Sequence, residues 1–61
     1  MWQEYKVGDL VWVRMVFPGD GFGEYTGLVE HVGVFDLTVC IEVGTRTVVR
    51  HVPACDVRPF N

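Results

Sequence analysis

Alanine and lysine are nearly missing: Ala54 and Lys6 are the single examples of each in 61 residues. Helices draw heavily on such residues, so a helical domain has little to build on here. Cysteine is scarce too. Cys40 and Cys55 stand 15 positions apart with no CxxC spacing, which excludes a dense disulfide scaffold and a short-spaced zinc motif. Two free, largely buried thiols are the expectation. No apolar run nears the roughly 18 residues that a helix needs to cross a bilayer. Met1-Trp2-Gln3-Glu4 lacks the basic-then-apolar order of a secretory leader. An intracellular setting, nuclear or cytoplasmic, without membrane contact follows as an expectation. Positive charge is in deficit as well: 5 Lys and Arg against 8 Asp and Glu leave a net −3. That excludes a global electrostatic funnel for nucleic acid. The deficit is uneven. Residues 1–36 hold two cations against six carboxylates, whereas residues 37–61 hold Arg46, Arg50 and Arg58 against Glu42 and Asp56. A local basic face toward the C-terminus is compatible with this split.

What is abundant is valine, with 13 copies, beside seven glycines, three prolines and eight aromatics. β-Branched and aromatic side chains suit a pleated, half-buried surface. A chain this short buries about 60% of its unfolded surface, so it has one small core and no room for a deep catalytic cleft. The expectation is a single all-β domain over residues 1–61, without a cofactor and not an enzyme.

The pattern along the chain sharpens this. Tyr5-Lys6-Val7-Gly8-Asp9 reads as a lead-in with turn chemistry at Gly8-Asp9. Leu10–Val16 follows as a strand, with Val11, Val13 and Met15 inward and Leu10, Trp12, Arg14 and Val16 outward. Phe17–Gly23, with three Gly and one Pro, reads as a loop. Glu24–Gly33 is a second strand whose Val29 and Val32 are three apart. A bulge at Glu30-His31 returns both to one face. After a turn at Gly33–Asp36, Leu37–Val43 alternates cleanly with Leu37, Val39, Ile41 and Val43 inward. Gly44-Thr45 is a tight hairpin, and Arg46–Val52 is the fourth strand. Pro53-Ala54-Cys55 suits one 3-10 turn, and Asp56–Phe60 closes as a short edge strand. Five short strands with a 3-10 turn before the last describe a small SH3-like barrel, in which closure removes exposed edges.

The motifs in this order resemble the C-terminal SH3-like domain of retroviral and Ty3/gypsy-type integrases. The resemblance rests on Tyr5–Arg14, on Tyr25-Thr26-Gly27 with Val29 and Val32, on Arg46–Val52, and on Asp56-Val57-Arg58-Pro59-Phe60. It spans nearly the whole chain. It implies a non-catalytic module that binds DNA or a chromatin or other protein partner while chemistry happens elsewhere. The same framework is similar to Tudor domains, which share the Val-Gly-Asp opening, an aromatic at the start of strand two and a closing Asp-Val; that likeness implies a methyl-Lys or methyl-Arg peptide reader.

Candidate contacts follow. For nucleic acid they are Trp12, Arg14, Arg46, Arg50 and Arg58, because guanidinium groups grip phosphates and an exposed indole stacks on bases. The alternative is an ordinary solvated face, with these arginines paired across strands to Glu30 and Glu42. For a peptide reader they are Trp12, Phe22, Tyr25 and Phe35, which a cationic side chain meets through cation–π attraction. Aromatics that merely cover the first loop are the alternative. A third reading is a self-assembling barrel, a homo-oligomer packed through the Trp12 face. His31, His51, Cys40 and Cys55 show no zinc spacing, so no metal is expected, and His51 reads as a strand residue bonded to a neighbour. Cys55 with His51 lacks an orienting third group for nucleophilic catalysis. Type II dihydrofolate reductases are also small SH3-like barrels, but their Gln and Tyr are missing from Thr47-Val48-Val49-Arg50-His51.

Overall fold

The computed structural model describes residues 4–61. Met1-Trp2-Gln3, read above as no part of a leader, lies outside them. Strand β1 spans Leu10–Phe17, β2 Gly21–Val32, β3 Asp36–Val43, β4 Arg46–Pro53 and β5 Val57–Pro59, with a 3-10 turn at Ala54–Asp56. All pair antiparallel in one sheet of order β4-β3-β2-β1-β5. Element order and turn placement agree with the five-stranded expectation. Among the described residues, β4 pairs only with β3 and β5 only with β1, so no ladder joins β4 to β5.

The core is valine stacked on valine. Val11, Val13, Val29, Val39, Ile41 and Val43 are fully buried, with Phe17, Leu37, Val52 and Val57 around them. Removing each such side chain from water contributes about 1.5–3 kcal/mol. Met15, placed inward by alternation, packs on the core but stays only partly buried. β2 passes this core closely at Gly27, where any Cβ would collide with Val39 Cγ1 and come within 3.2 Å of the Cys40 carbonyl.

The expected bulge is present. The β2–β3 register shifts between Val29 and His31, leaving Glu30 as the extra residue. Val29 then faces Val39, and Val32 faces Leu37 on the same side. Val32 sits at the strand end and remains exposed. The lead-in docks beside the bulge: Gly8 N donates to the Val29 carbonyl at 2.8 Å, and Val29 N to the Asp9 carbonyl at 2.9 Å. Gly8 takes φ +97°, a region open to glycine, and the Asp9 carboxylate accepts from Lys6 N at 2.9 Å. The Tyr5 hydroxyl donates to the Val57 carbonyl at 3.0 Å and ties the lead-in to β5. Burial raises the Tyr5 pKa above its ordinary value.

Three expectations are corrected. The stretch Phe17–Gly23 is not a loop. Phe17 ends β1 as a core residue, only Pro18-Gly19-Asp20 turn, and Gly21, Phe22 and Gly23 pair with Phe17, Val16 and Met15. Gly19 and Gly21 at φ +86° and +87° make so tight a reversal feasible. The thiols are free, but they are not largely buried: Cys55 is exposed and Cys40 intermediate. Cys40 points to the uncovered outer face of β3, and Cys55 lies on the short 3-10 turn. Three of the four arginines do pair with carboxylates, yet not with Glu30 or Glu42: Arg14 reaches Asp56, Arg46 reaches Asp20 and Arg58 reaches Glu24.

Candidate functional site

Strand alternation sorts the expected contact residues onto different faces. Trp12 stands opposite Thr26 and Arg58, and Val13 opposite Tyr25 and Val57, so Trp12 and Tyr25 point to opposite sides of the sheet. Trp12, Arg14 and Arg58 share the outer face of β1 and β5. The Trp12 ring stacks on Phe60 with centroids 5.1 Å apart, and the Arg58 guanidinium lies 5.5 Å from its centroid. Arg58 also forks onto Glu24 with Nε–Oε2 at 2.6 Å and Nη2–Oε1 at 2.9 Å. This bidentate pair, with Arg14 adding charge nearby, holds the Glu24 carboxyl below its ordinary pKa and raises that of Arg58. Arg14 reaches Asp56 at 3.9 Å.

Arg46 and Arg50 lie elsewhere. They face Val43 and Val39 across the β3–β4 ladder, on the core side of β4. The Arg50 guanidinium sits 5.9 Å from the Phe17 ring centroid, and Arg46 contacts Asp20 at 3.4 Å. The five nucleic-acid candidates thus form an outer group of three and a β4 pair. Three of the four arginines carry a carboxylate partner. Each of these ion pairs joins the acidic first 36 residues to the rest of the chain.

The peptide candidates separate further. Tyr25 packs edge-on against Phe17 at 5.0 Å and donates its hydroxyl to the Gly21 carbonyl at 2.7 Å. Phe22 stands exposed beside Val16 near the tip of the β1–β2 hairpin. Phe35 lies in the β2–β3 turn, lining a shallow depression of about 380 Å³ with Tyr5, Val34 and Ala54. No pair among Trp12, Phe22, Tyr25 and Phe35 is in ring contact.

The sheet also builds a feature that alternation alone does not reveal. Leu10 faces Leu28, Leu28 faces Cys40, and Cys40 faces Val49. Phe60 continues this row beyond β5, its N donating to the Leu10 carbonyl at 3.3 Å. An apolar belt therefore crosses β1 to β4 on the outer face and ends on Phe60, just past β5. Its members Leu10, Leu28, Val49 and Phe60 are 56%, 42%, 50% and 41% exposed. Strand spacing makes it about 19 Å long. Polar groups border both sides: Thr26, which donates to Glu42 Oε1 at 3.0 Å, and Thr38, hydrogen-bonded to His51 Nδ1 at 3.0 Å. Outward parity and apolar character at four separate strands were the available signal, but only register aligns them.

No family model matches the chain, and no curated protein or solved structure matches it. Among the described residues, no three His, Cys, Asp or Glu side chains converge to hold a metal ion. His31 and His51 flank Thr38 on the outer face. Cys55 lies at the 3-10 turn, lining a small depression with Arg14 and Arg58.

Proposed function

We propose that this protein is a non-catalytic docking module that binds a protein partner through its outer face, in line with the interaction role its resemblance to integrase terminal domains implies. The single observation that carries this reading is the exposed apolar belt Phe60–Leu10–Leu28–Cys40–Val49 with Trp12 beside it. An apolar strip with one large aromatic and an adjacent arginine, rimmed by polar groups, has the anatomy of a protein contact centre. The groups with displaced pKa values fit a binding role: Glu24 and Arg58 stabilise each other, and Tyr5 anchors the lead-in. None faces a deep cleft.

Nucleic acid is the second reading, favoured by Arg14 and Arg58 beside the Trp12 ring. Its weakness is charge: both arginines already hold carboxylates, and the chain is acidic. A methyl-peptide cage draws no support from four aromatics that stand apart. A second copy packing on the Trp12 face remains the self-assembly alternative.

The test compares wild type with Leu28→Glu, a change at an exposed position in the belt. The wild-type chain is expected to retain a protein from its native cell extract that Leu28→Glu releases, and to sediment as a monomer. A DNA affinity that falls steeply with salt and is lost in Arg58→Ala replaces this reading with the nucleic-acid one. Concentration-dependent sedimentation abolished by Leu28→Glu replaces it with self-assembly.

A further inference from the structure

The belt ends at Val49 on β4, and beyond its side chain lies the open backbone edge of that strand. β3 and β4 are joined by the two-residue turn Gly44-Thr45, with Val43 facing Arg46. In such a hairpin the flanking pair exchanges hydrogen bonds and pairs then alternate. Arg46, Val48, Arg50 and Val52 therefore bond back to β3. Thr47, Val49 and His51 turn their N–H and C=O groups to the other side. Two observations agree. The Val49 carbonyl accepts from Arg50 Nη1 at 3.0 Å instead of from β3. Pro53, which has no N–H to give, falls at the next edge-facing position. Among the described residues no strand pairs with this edge.

The edge has a charge signature. β4 reads Arg46-Thr47-Val48-Val49-Arg50-His51-Val52-Pro53, with two arginines and no carboxylate in a chain of net charge −3. Arg46 and Arg50 stand on one side of the strand with Val48 between them, and Val49 lies on the other. A second copy pairing in the register centred on Val48 would set Arg46 against Arg50, and like charges face to face are destabilising.

We propose that β4 accepts an added strand from a partner protein, an extended acidic segment with carboxylates at positions i and i+4 and an apolar residue at i+2. Backbone bonds to Thr47, Val49 and His51 supply the pairing, as in other edge-strand recognition. The carboxylates meet Arg50 and Arg46, and the apolar residue covers Val48. The incoming N–H takes over the Val49 carbonyl, which releases the Arg50 guanidinium for its carboxylate. Asp20 now holds Arg46 and competes with the ligand for it.

The experiment uses the full 61-residue chain and two fluorescein-labelled peptides, Glu-Thr-Val-Thr-Glu and Lys-Thr-Val-Thr-Lys. At low salt the glutamate peptide is expected to raise anisotropy and the lysine peptide to bind far more weakly. Hydrogen exchange at the Thr47, Val49 and His51 amides should slow on binding, while the Val48 and Arg50 amides keep their protection. Arg50→Glu should reverse the peptide preference. Asp20→Asn should tighten the glutamate peptide by about two- to fivefold. Val49→Pro, which removes an edge N–H without breaking a β3 bond, should weaken it by about fivefold. Equal binding of both peptides, no binding of either, or slowed exchange confined to the Leu10 and Leu28 belt overturns the proposal. So does edge protection that grows with protein concentration alone, which assigns the edge to a second copy. Leu28→Glu leaves this binding intact, so failure here is distinguishable from failure of the belt reading.

Discussion

β3 and β4 are both eight residues long, neighbours in one ladder, and alternate with the same period. Yet β3 buries Leu37, Val39, Ile41 and Val43, whereas β4 buries only Val52. The positions on β4 that face those of β3 are Val52, Arg50, Val48 and Arg46. β3 has a strand on each side and the core beneath it. Among the described residues β4 has one neighbour, and its two arginines reach past the core edge to the β1–β2 hairpin, at Phe17 and Asp20. One strand of the hairpin thus supplies stability and the other leaves its backbone and charge available. Alternation predicts which side chains share a face; the number of neighbours decides whether that face is dry.

The largest expected effect tests this difference directly. Ile41→Ala should lower stability by about 2–5 kcal/mol, read from the urea midpoint. Val48→Ala, directly across the ladder but only partly buried, should cost under about 1 kcal/mol. Equal losses would erase the contrast between the strands. A similar contrast holds within β2. Gly27→Ala forces a methyl onto Val39 and should cost about 1–3 kcal/mol. Gly23, with open space and no positive φ, should accept alanine within about 0.5 kcal/mol. Smaller again is Arg50→Ala, which removes the cation above Phe17 and should cost below about 1 kcal/mol.

The smallest effect concerns the outer face. The Glu24 carboxyl is held below its ordinary pKa by Arg58. Its ion pair therefore favours the fold above the ordinary carboxylate pKa. That contribution is lost as pH falls through the lower folded value. An NMR titration of the Glu24 side chain should show a midpoint below 4.5 that moves up in Arg58→Ala. An unchanged midpoint in that variant would remove Arg58 as the cause.

Much of this was legible beforehand, for a physical reason. Strand parity at Val11 and Val13, the four inward residues of β3, the bulge and the Gly44-Thr45 hairpin are local consequences of the pleat and of turn stereochemistry. The stretch Phe17–Gly23 misled because glycine usually weakens a ladder. Here Gly19 and Gly21 take positive φ and fold the chain back so tightly that pairing resumes at once. The candidate site was legible only in part. Trp12, Arg14 and Arg58 do meet, because β5 returns beside β1. Arg46 and Arg50 stand apart from them, because β4 lies at the far side of the sheet.

The amino-acid sequence by itself determined an all-β chain of five strands, their approximate limits, and which side chains point inward. Those properties follow from valine-rich period-two alternation and from where Gly and Pro interrupt it. Only the tertiary structure decided that Phe60, Leu10, Leu28, Cys40 and Val49 line up as one belt, and that Arg58 finds Glu24. It alone left one side of β4 unpaired among the described residues. Each depends on register and strand order, which are set by pairings between residues far apart in the chain and leave no local mark in it.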